Sequence, residues 1–93
     1  MRSETVKITR TSRFVKNYKQ RIRTTQLKKA VVDAIHRFCE DRSAVELRDH
    51  ELRHSMKKLR SFSVTDDVRI IYLPTKQGVI FLDIGTHQQV YQS

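Results

Sequence analysis

The fold is decided by the stretch from Lys57 to His87, which reads KKLRSFSVTDDVRIIYLPTKQGVIFLDIGTH. Three runs rich in Val, Ile, Phe and Tyr follow one another here, separated by the short segments TDD and PTKQG. Aspartates bond to their own backbone in tight turns, proline fixes φ, and glycine adds conformational freedom. Apolar runs bounded by such turns are typical of an antiparallel meander, so we predict three consecutive antiparallel strands.

The two faces of this sheet differ in character. The middle run, Val68–Leu73, has apolar residues at both odd and even positions, which predicts a central strand that is covered on both faces. The first run carries Lys58, Arg60, Ser61 and Ser63 among its apolar residues, so part of it must face water or a ligand. We therefore expect one apolar face and one partly basic face.

A strand and a helix are predicted ahead of the meander. In Glu4–Thr9, Val and Ile alternate with polar residues, which favours a strand that joins the sheet. Thr11 or Ser12 can cap a helix that runs from Ser12 to about Arg21, because a hydroxyl there accepts a backbone N–H of the first turn.

A second helix is predicted over about Thr25–Asp41, where apolar residues recur at spacings of 4, 4 and 3. The bridge Arg23–Thr25 offers its cap. The element order is therefore strand, helix, helix and three antiparallel strands, which defines an α+β fold with a helical hairpin on one face of the sheet. The apolar positions of this helix are Leu27, Val31, Ile35 and Phe38.

Length and composition limit the possibilities further. A chain of 93 residues holds one domain, here 1–93, because single domains commonly run to about 100–150 residues. No apolar run approaches the roughly 20 residues of a membrane span, and no signal-like segment follows the basic N-terminus, so we expect a cytoplasmic protein. Cys39 has no partner for an intrachain disulfide and is predicted to be a small core residue; the alternative is a nucleophile paired with His36.

The charge is the first indication of function. The formal net charge is +9, and residues 1–60 hold 17 Lys and Arg against 7 Asp and Glu. Self-repulsion of this size destabilises a small fold, so an anionic partner, either a nucleic acid or an acidic protein segment, is the economical explanation.

The segment Leu47–His54 combines two leucines with six titratable residues. We predict a solvated loop pinned by Leu47 and Leu52. His50 and His54 are four residues apart and could share a metal, but no third ligand stands at a recognisable spacing, so we expect no metal and no cofactor.

Four short motifs stand in an informative order around the meander. Each is unspecific alone, and their order and spacing carry the information. They are Asp49-His50-Glu51-Leu52, Lys58-Leu59-Arg60, Asp67 ahead of Arg69-Ile70-Ile71-Tyr72, and Gly85-Thr86-His87 with Tyr91 four residues later.

In these motifs the chain resembles the RelE superfamily of toxins from bacterial toxin–antitoxin pairs, and within it the YafQ-like branch. The match also covers Phe14–Tyr18, so it extends over nearly the whole chain. The resemblance implies a RelE-like fold and an mRNA interferase, a ribonuclease that cuts the messenger in the ribosomal A site. Its expected partners are mRNA, the ribosome and an acidic antitoxin that holds it inactive.

The chemistry that the resemblance implies uses no metal: the ribose 2′-OH attacks the adjacent phosphate and expels the 5′-oxygen of the next nucleotide. Histidine can accept or donate a proton near neutral pH. On the family pattern His87 is the candidate general acid and His50 the candidate base. Asp67 matches the aspartate that the family pattern has in the first hairpin turn, although backbone bonding explains a turn aspartate equally well. Tyr91 could stack on a base, orient the phosphate or simply close the core.

Positive charge for the phosphate has four candidates. Arg60 can grip a phosphate with two parallel hydrogen bonds, and Lys57 and Lys58 can add point charge. His54 lies outside the matched pattern and could compensate for a histidine that the pattern has and this chain lacks.

The chain departs from the YafQ-like pattern at two positions. The pattern has a second histidine in the first meander strand and an aromatic residue after the hairpin aspartate, where this chain has Ser63 and Val68. Two alternatives therefore stay open: a ParE-like toxin that inhibits gyrase through protein contacts, and a catalytically weakened member that binds RNA or the ribosome.

Overall fold

The computed structural model describes residues 6–52 and 58–91. The order of elements confirms the predicted α+β architecture of a strand, two helices and an antiparallel meander. The strands are β1 (Lys7–Arg10), β2 (His50–Glu51), β3 (Arg60–Ser63), β4 (Val68–Pro74) and β5 (Gly78–Thr86). The helices are α1 (Ser12–Arg21), α2 (Thr25–Glu40) and α3 (His87–Tyr91), and a 3-10 turn covers Val45–Leu47.

Threonines cap the N-termini of both long helices, as the sequence predicts. The Thr11 hydroxyl accepts the backbone N–H of Phe14 at 3.1 Å, and the Thr24 hydroxyl accepts that of Leu27 at 3.0 Å. Each bond satisfies an N–H that the first turn leaves without a helical partner, which stabilises a helix by about 1 kcal/mol. Local side-chain chemistry therefore fixes where α1 and α2 start.

The strands form one mixed sheet in the order β1-β5-β4-β3-β2. The meander is antiparallel, and β1 pairs with β5 in parallel. The predicted central strand, β4, lies in the middle of the sheet. Ile70 and Tyr72 are buried on one side of it and Ile71 on the other, which confirms that both faces are covered.

The core lies between α2 and one face of the sheet, which we call the helix face. Phe38 of α2 stacks on Phe62 of β3 with ring centroids 4.4 Å apart and meets Tyr72 of β4 edge-on at 4.9 Å. Phe14 of α1 lies 5.4 Å from Phe81 of β5. Burial of each such ring contributes about 1.5–3 kcal/mol, so these aromatic contacts hold both helices to the sheet.

The opposite face, which we call the α3 face, carries smaller and more polar side chains. Strand register pairs Ser61 with Ile71, and Ser63 with Arg69, so these four side chains share a face. The helix α3 lies over this face, because the Tyr91 hydroxyl is 3.0 Å from Ser61 Oγ. The predicted contrast between the two faces is present, but Arg60, which was expected on the basic face, pairs with Tyr72 and so lies on the helix face.

The segment Leu47–His54 differs from the predicted loop. Leu47 is fully buried, as expected, but His50 and Glu51 form the short edge strand β2, which pairs with β3. Two exposed residues produce no alternation of apolar and polar positions, so the sequence gives no signal for such a strand. Lys57 and His54 lie outside the described residues.

Cys39, predicted to be a small core residue, packs against the core but is only partly buried. Burial, followed by the nearby charge of Glu40, raises the pKa of its thiol, which disfavours the nucleophilic thiolate. Among the described residues, no helix is both long and apolar enough to cross a membrane.

Candidate functional site

His50, the candidate base, is the first residue of β2 and is exposed. It pairs with Ser61 across the strands, so its side chain belongs to the α3 face. Its Nδ1 lies 2.7 Å from the backbone carbonyl oxygen of Arg48. Because a carbonyl can only accept a hydrogen bond, Nδ1 is the donor, so in the neutral ring Nε2 is the nitrogen with the lone pair. This is the tautomer that a base acting through Nε2 requires.

The carbonyl that fixes this tautomer comes from a strained residue. Arg48 ends the 3-10 turn with φ of 49°, in the left-handed region that residues other than glycine seldom adopt. Its side chain lies 3.9 Å from Asp66 in the β3–β4 turn, but both groups are well exposed, so this ion pair contributes little stability. The backbone of Arg48, rather than its charge, is what shapes the site.

His87, the candidate acid, directly follows β5 and opens α3. The residues around it form a capping box: the Thr86 N–H donates to Gln89 Oε1 at 2.8 Å, and the Gln89 N–H donates to Thr86 Oγ1 at 3.2 Å. The His87 N–H donates to the carbonyl of Asp67 at 3.1 Å. The sequence analysis missed α3, although Thr86-x-x-Gln89 is a capping-box signature that could have revealed its start.

Tyr91 connects the two histidines. Its ring meets that of His87 edge-on, with centroids 4.3 Å apart, and its hydroxyl is 3.0 Å from Ser61 Oγ. Ser61 is the cross-strand neighbour of His50, and such neighbours have Cβ atoms about 4.5–5.5 Å apart. Strand pairing, a hydroxyl contact and a ring contact on the α3 face therefore link His50 to His87 through Ser61 and Tyr91.

Asp67 supports the site with its backbone and exposes its carboxylate. The Thr65 hydroxyl accepts the N–H groups of Asp67 and Val68 at 3.2 and 3.0 Å, so Thr65 closes the turn. The Asp67 carbonyl holds His87, as described above. The Asp67 side chain is exposed, so its carboxylate lies at the surface.

Arg69 is a candidate residue to which the sequence analysis gave no role. It lies on β4 between Ser63 and Gly85 in the strand register, and its Nη1 donates to Ser63 Oγ at 3.2 Å. Its Nε is buried, with no hydrogen-bond partner in the described part of the chain. Such a group calls for an explanation, and an anion bound at the α3 face would provide one. The available signal was an arginine inside the apolar run Val68–Leu73.

Arg60 does not lie with the histidines. It directly precedes Ser61 in β3, and consecutive strand residues point to opposite faces, so Arg60 belongs to the helix face. Its Nε donates to Asp49 Oδ1 at 2.7 Å and to the Tyr72 hydroxyl at 3.3 Å. The sheet therefore separates Arg60 from His87. Lys58 is exposed and has a left-handed backbone with φ of 58°.

The two departures from the family pattern have clear structural roles. Ser63 is buried and accepts the hydrogen bond of Arg69. Val68 is buried at the end of the core. Neither can act as the histidine or the aromatic residue would. Within the described ranges, no three His, Cys, Asp or Glu side chains are close enough to hold a metal ion.

The architecture described above is shared with solved bacterial toxins. YafQ from E. coli strain BL21(DE3) superimposes with a TM-score of 0.68 at 21% identity, covering 92% of this chain and 98% of that one. The E. coli DinJ-YafQ toxin-antitoxin complex gives 0.67 at 20% identity, covering 95% and 99%. The YoeB/ParE toxin from Agrobacterium tumefaciens gives 0.69 at 19% identity, covering 88% and 99%. At these identities the matches establish a RelE-like fold.

The family follows from the sequence itself. Residues 6–92 match the profile described as the bacterial toxin of type II toxin-antitoxin system, YafQ. The chain belongs to this family and is a type II toxin of the RelE superfamily. A search of curated proteins gave no match.

Proposed function

We propose that this toxin is a ribosome-dependent endoribonuclease that cuts mRNA in the A site without a metal ion. The observation that supports the proposal is that His50 and His87 lie on one face of the sheet, linked by the pairing of His50 with Ser61 and by the contacts of Tyr91 with Ser61 and His87. Two histidines on one surface can serve one phosphodiester, one as base and one as acid.

In the proposed reaction, Nε2 of His50 takes the proton of the ribose 2′-OH. The 2′-oxygen forms a bond to phosphorus, and the bond to the 5′-oxygen of the next nucleotide breaks, which leaves a 2′,3′-cyclic phosphate. His87 in its imidazolium form gives its proton to the departing 5′-oxygen. A positioned acid or base typically contributes about 10²–10⁴-fold each.

Arg69 is proposed to stabilise the charge that develops on the phosphate, because it lies on the same face as Ser61 and its Nε has no hydrogen-bond partner among the described residues. Hydrogen bonds between charged groups are roughly twice as strong as neutral ones, which favours an arginine here. Tyr91 and the Asp67 carboxylate orient the RNA around His87. Lys58 is proposed to attract RNA from the surface, together with Lys57 and His54.

The proposed partners are mRNA, the ribosome and an acidic antitoxin, all in the bacterial cytoplasm. The net charge of +9 supports anionic partners, and the E. coli relative was crystallised as a toxin-antitoxin complex. An acidic antitoxin segment laid over the basic surface would exclude RNA from it.

The test is to add purified protein to a translating extract and to map messenger ends. We expect codon-phased cuts that disappear in His87→Ala and persist in His36→Ala, because His36 is an exposed histidine on α2, outside the site. Inhibition of supercoiling without cuts would instead indicate a ParE-like gyrase toxin.

A weakened RNA- or ribosome-binding member is the second candidate, and one observation favours it. Ser63, which stands where the pattern has a histidine, already accepts the hydrogen bond of Arg69 and cannot carry a proton near neutral pH. Ribosome binding without cuts in the same assay would favour this candidate. Cleavage that is lost in His50→Ala would exclude it.

A further inference from the structure

Asp49 directly precedes His50, and its carboxylate is almost completely buried. Its side chain is 7% exposed. One oxygen accepts the Nε–H of Arg60 at 2.7 Å, and the other accepts the hydroxyl of Tyr72. Arg42 Nε lies 3.9 Å from that second oxygen. We refer to Asp49, Arg60, Tyr72 and Arg42 as the carboxylate clamp.

The carboxylate clamp is anchored in the core. Arg42 also donates to the Tyr72 hydroxyl at 3.1 Å, and its guanidinium lies 5.7 Å from the ring centroid of Phe38 and 5.4 Å from that of Tyr72. Burial, followed by the bond to Asp49, raises the pKa of Tyr72 to about 12, so its hydroxyl stays protonated and continues to donate. The clamp is therefore tied to rings that cannot move without disturbing the core.

The clamp acts at the point in the chain where the geometry of His50 is decided. The hydrogen bond that fixes the His50 tautomer runs from its ring to the carbonyl of Arg48, and Asp49 is the single residue between them. Within residues 6–52 and 58–91, strand β2 has two residues and its one ladder partner is β3, so its own ladder holds it weakly. A fixed Asp49 holds both ends of the Arg48–His50 contact.

We infer that Asp49 is a positioning residue, whose clamped carboxylate on the helix face keeps the His50 ring on the α3 face in the tautomer with a free Nε2. The inference rests on the proposed role of His50 as the base. Removing the negative charge of Asp49 should then lower the rate of the chemical step rather than the affinity for substrate, because the group that takes the proton loses its fixed orientation.

A role in stability alone would explain the clamp less well. Buried ion pairs are often no more stabilising than apolar residues of similar volume, since their attraction barely offsets the cost of removing both charges from water. The chain offers a matched control for this point. Asp83 is 5% exposed and is bound by Asn17 at 2.7 Å and by Arg21 at 3.4 Å, but it tethers α1 to β5 rather than supporting β2.

The experiment compares Asp49→Asn with Asp83→Asn in the full chain. The readouts are the ¹⁵N spectrum of the His50 ring, thermal unfolding, and kcat and KM for messenger cleavage on ribosomes. We expect both variants to unfold at lower temperature. Asp49→Asn should mix the two His50 tautomers, whereas Asp83→Asn should leave the His50 spectrum unchanged. Asp49→Asn should also lower kcat by about 10- to 100-fold with KM within about twofold, since small misplacements cost this much.

A double-mutant cycle gives the decisive comparison. If Asp49 acts through His50, adding Asp49→Asn to His50→Ala lowers kcat no further. Multiplicative losses, or an unchanged His50 spectrum in Asp49→Asn, would overturn the inference. Should Asp49→Asn fail to fold, Tyr72→Phe keeps the Arg60 bond and should give a smaller change of the same kind. If wild-type protein does not cleave, the proposed function fails while the spectrum still judges Asp49.

Discussion

Arg69 is proposed both to hold Ser63 and to stabilise charge on the phosphate, and the substitution Arg69→Met separates these two roles. Methionine retains much of the length and apolar bulk of arginine but has no N–H groups and no charge. The substitution removes the Nη1 bond to Ser63 and also the buried Nε that has no partner among the described residues.

The two consequences for stability have opposite signs. Loss of the bond to Ser63 costs about 1–2 kcal/mol, whereas removal of a buried, unpaired N–H recovers about 1–3 kcal/mol. The free energy of unfolding should therefore stay within about 1 kcal/mol of wild type. Loss of a preorganised donor to the developing phosphate charge should lower kcat by about 10²–10³-fold.

Urea unfolding followed by tyrosine fluorescence gives the stability, and primer extension on ribosome-bound messenger gives kcat. Arg37→Met is the matched control, because Arg37 is an exposed arginine on α2 and its loss removes the same charge away from the α3 face. A second variant, Arg69→Met with Ser63→Ala, removes both bonding partners and leaves no unpaired hydroxyl. It should be as stable as Arg69→Met or more so.

Two results would refute this reasoning. If Arg69→Met lowers the free energy of unfolding by more than about 3 kcal/mol, Arg69 is a structural residue and its Nε is satisfied in solution. If the variant is stable and cleaves at the wild-type rate, Arg69 does not contact the scissile phosphate. In that case the positive charge must come from elsewhere on the α3 face.

Three further outcomes are expected. Gly85→Ala would place a Cβ 2.7 Å from both Arg21 Nη1 and Gln89 Oε1. Both atoms end flexible side chains that can move aside, so the cost in urea unfolding should be about 1 kcal/mol, that of one lost hydrogen bond. A displaced Gln89 no longer accepts the Thr86 N–H, so kcat should fall, and an unchanged kcat would separate the cap from catalysis. The pKa of Tyr72 is raised from 10.0 to about 12, so folding favours its protonated form. Its contribution to the free energy of unfolding, about 2–3 kcal/mol, is present below pH 10 and lost as pH rises towards 12. Tyr72→Phe should flatten that decline. RNA affinity should fall with salt, with a slope of about 0.7 in log K per neutralised phosphate, whereas a flat dependence would assign the basic surface to the antitoxin.

The sequence predicts the elements whose signals are local. Helix α2 has an apolar period of 3.6 and a threonine cap, and the meander has β-branched runs separated by turn residues, so both were predicted within a residue or two. The strand β2 and the helix α3 have five residues or fewer. Such short elements are stabilised by neighbours that are distant in sequence, as when the Asp67 carbonyl accepts the His87 N–H.

The assignment of the cationic residue depended on which way two strands face. In β3, burial of Phe62 against Phe38 turns Arg60 to the helix face and Ser61 and Ser63 to the other. That alternation could have been read from the apolar position of Phe62 alone. In β4 the alternation cannot be predicted from the sequence, because apolar residues occupy both faces and nothing distinguishes the side of Ile70 from that of Ile71.

The register between the strands resolves this ambiguity, because Arg69 must share a face with its partner Ser63. In a strand that is buried on both faces, apolar and polar residues do not alternate. The sequence pattern therefore does not indicate which face an arginine in such a strand occupies. Arg60 lies in the more polar strand and is the more conspicuous arginine in the sequence, but it faces Asp49 on the helix face. The proposed phosphate contact is assigned instead to Arg69, whose Nε has no partner in the part of the chain that the structure describes.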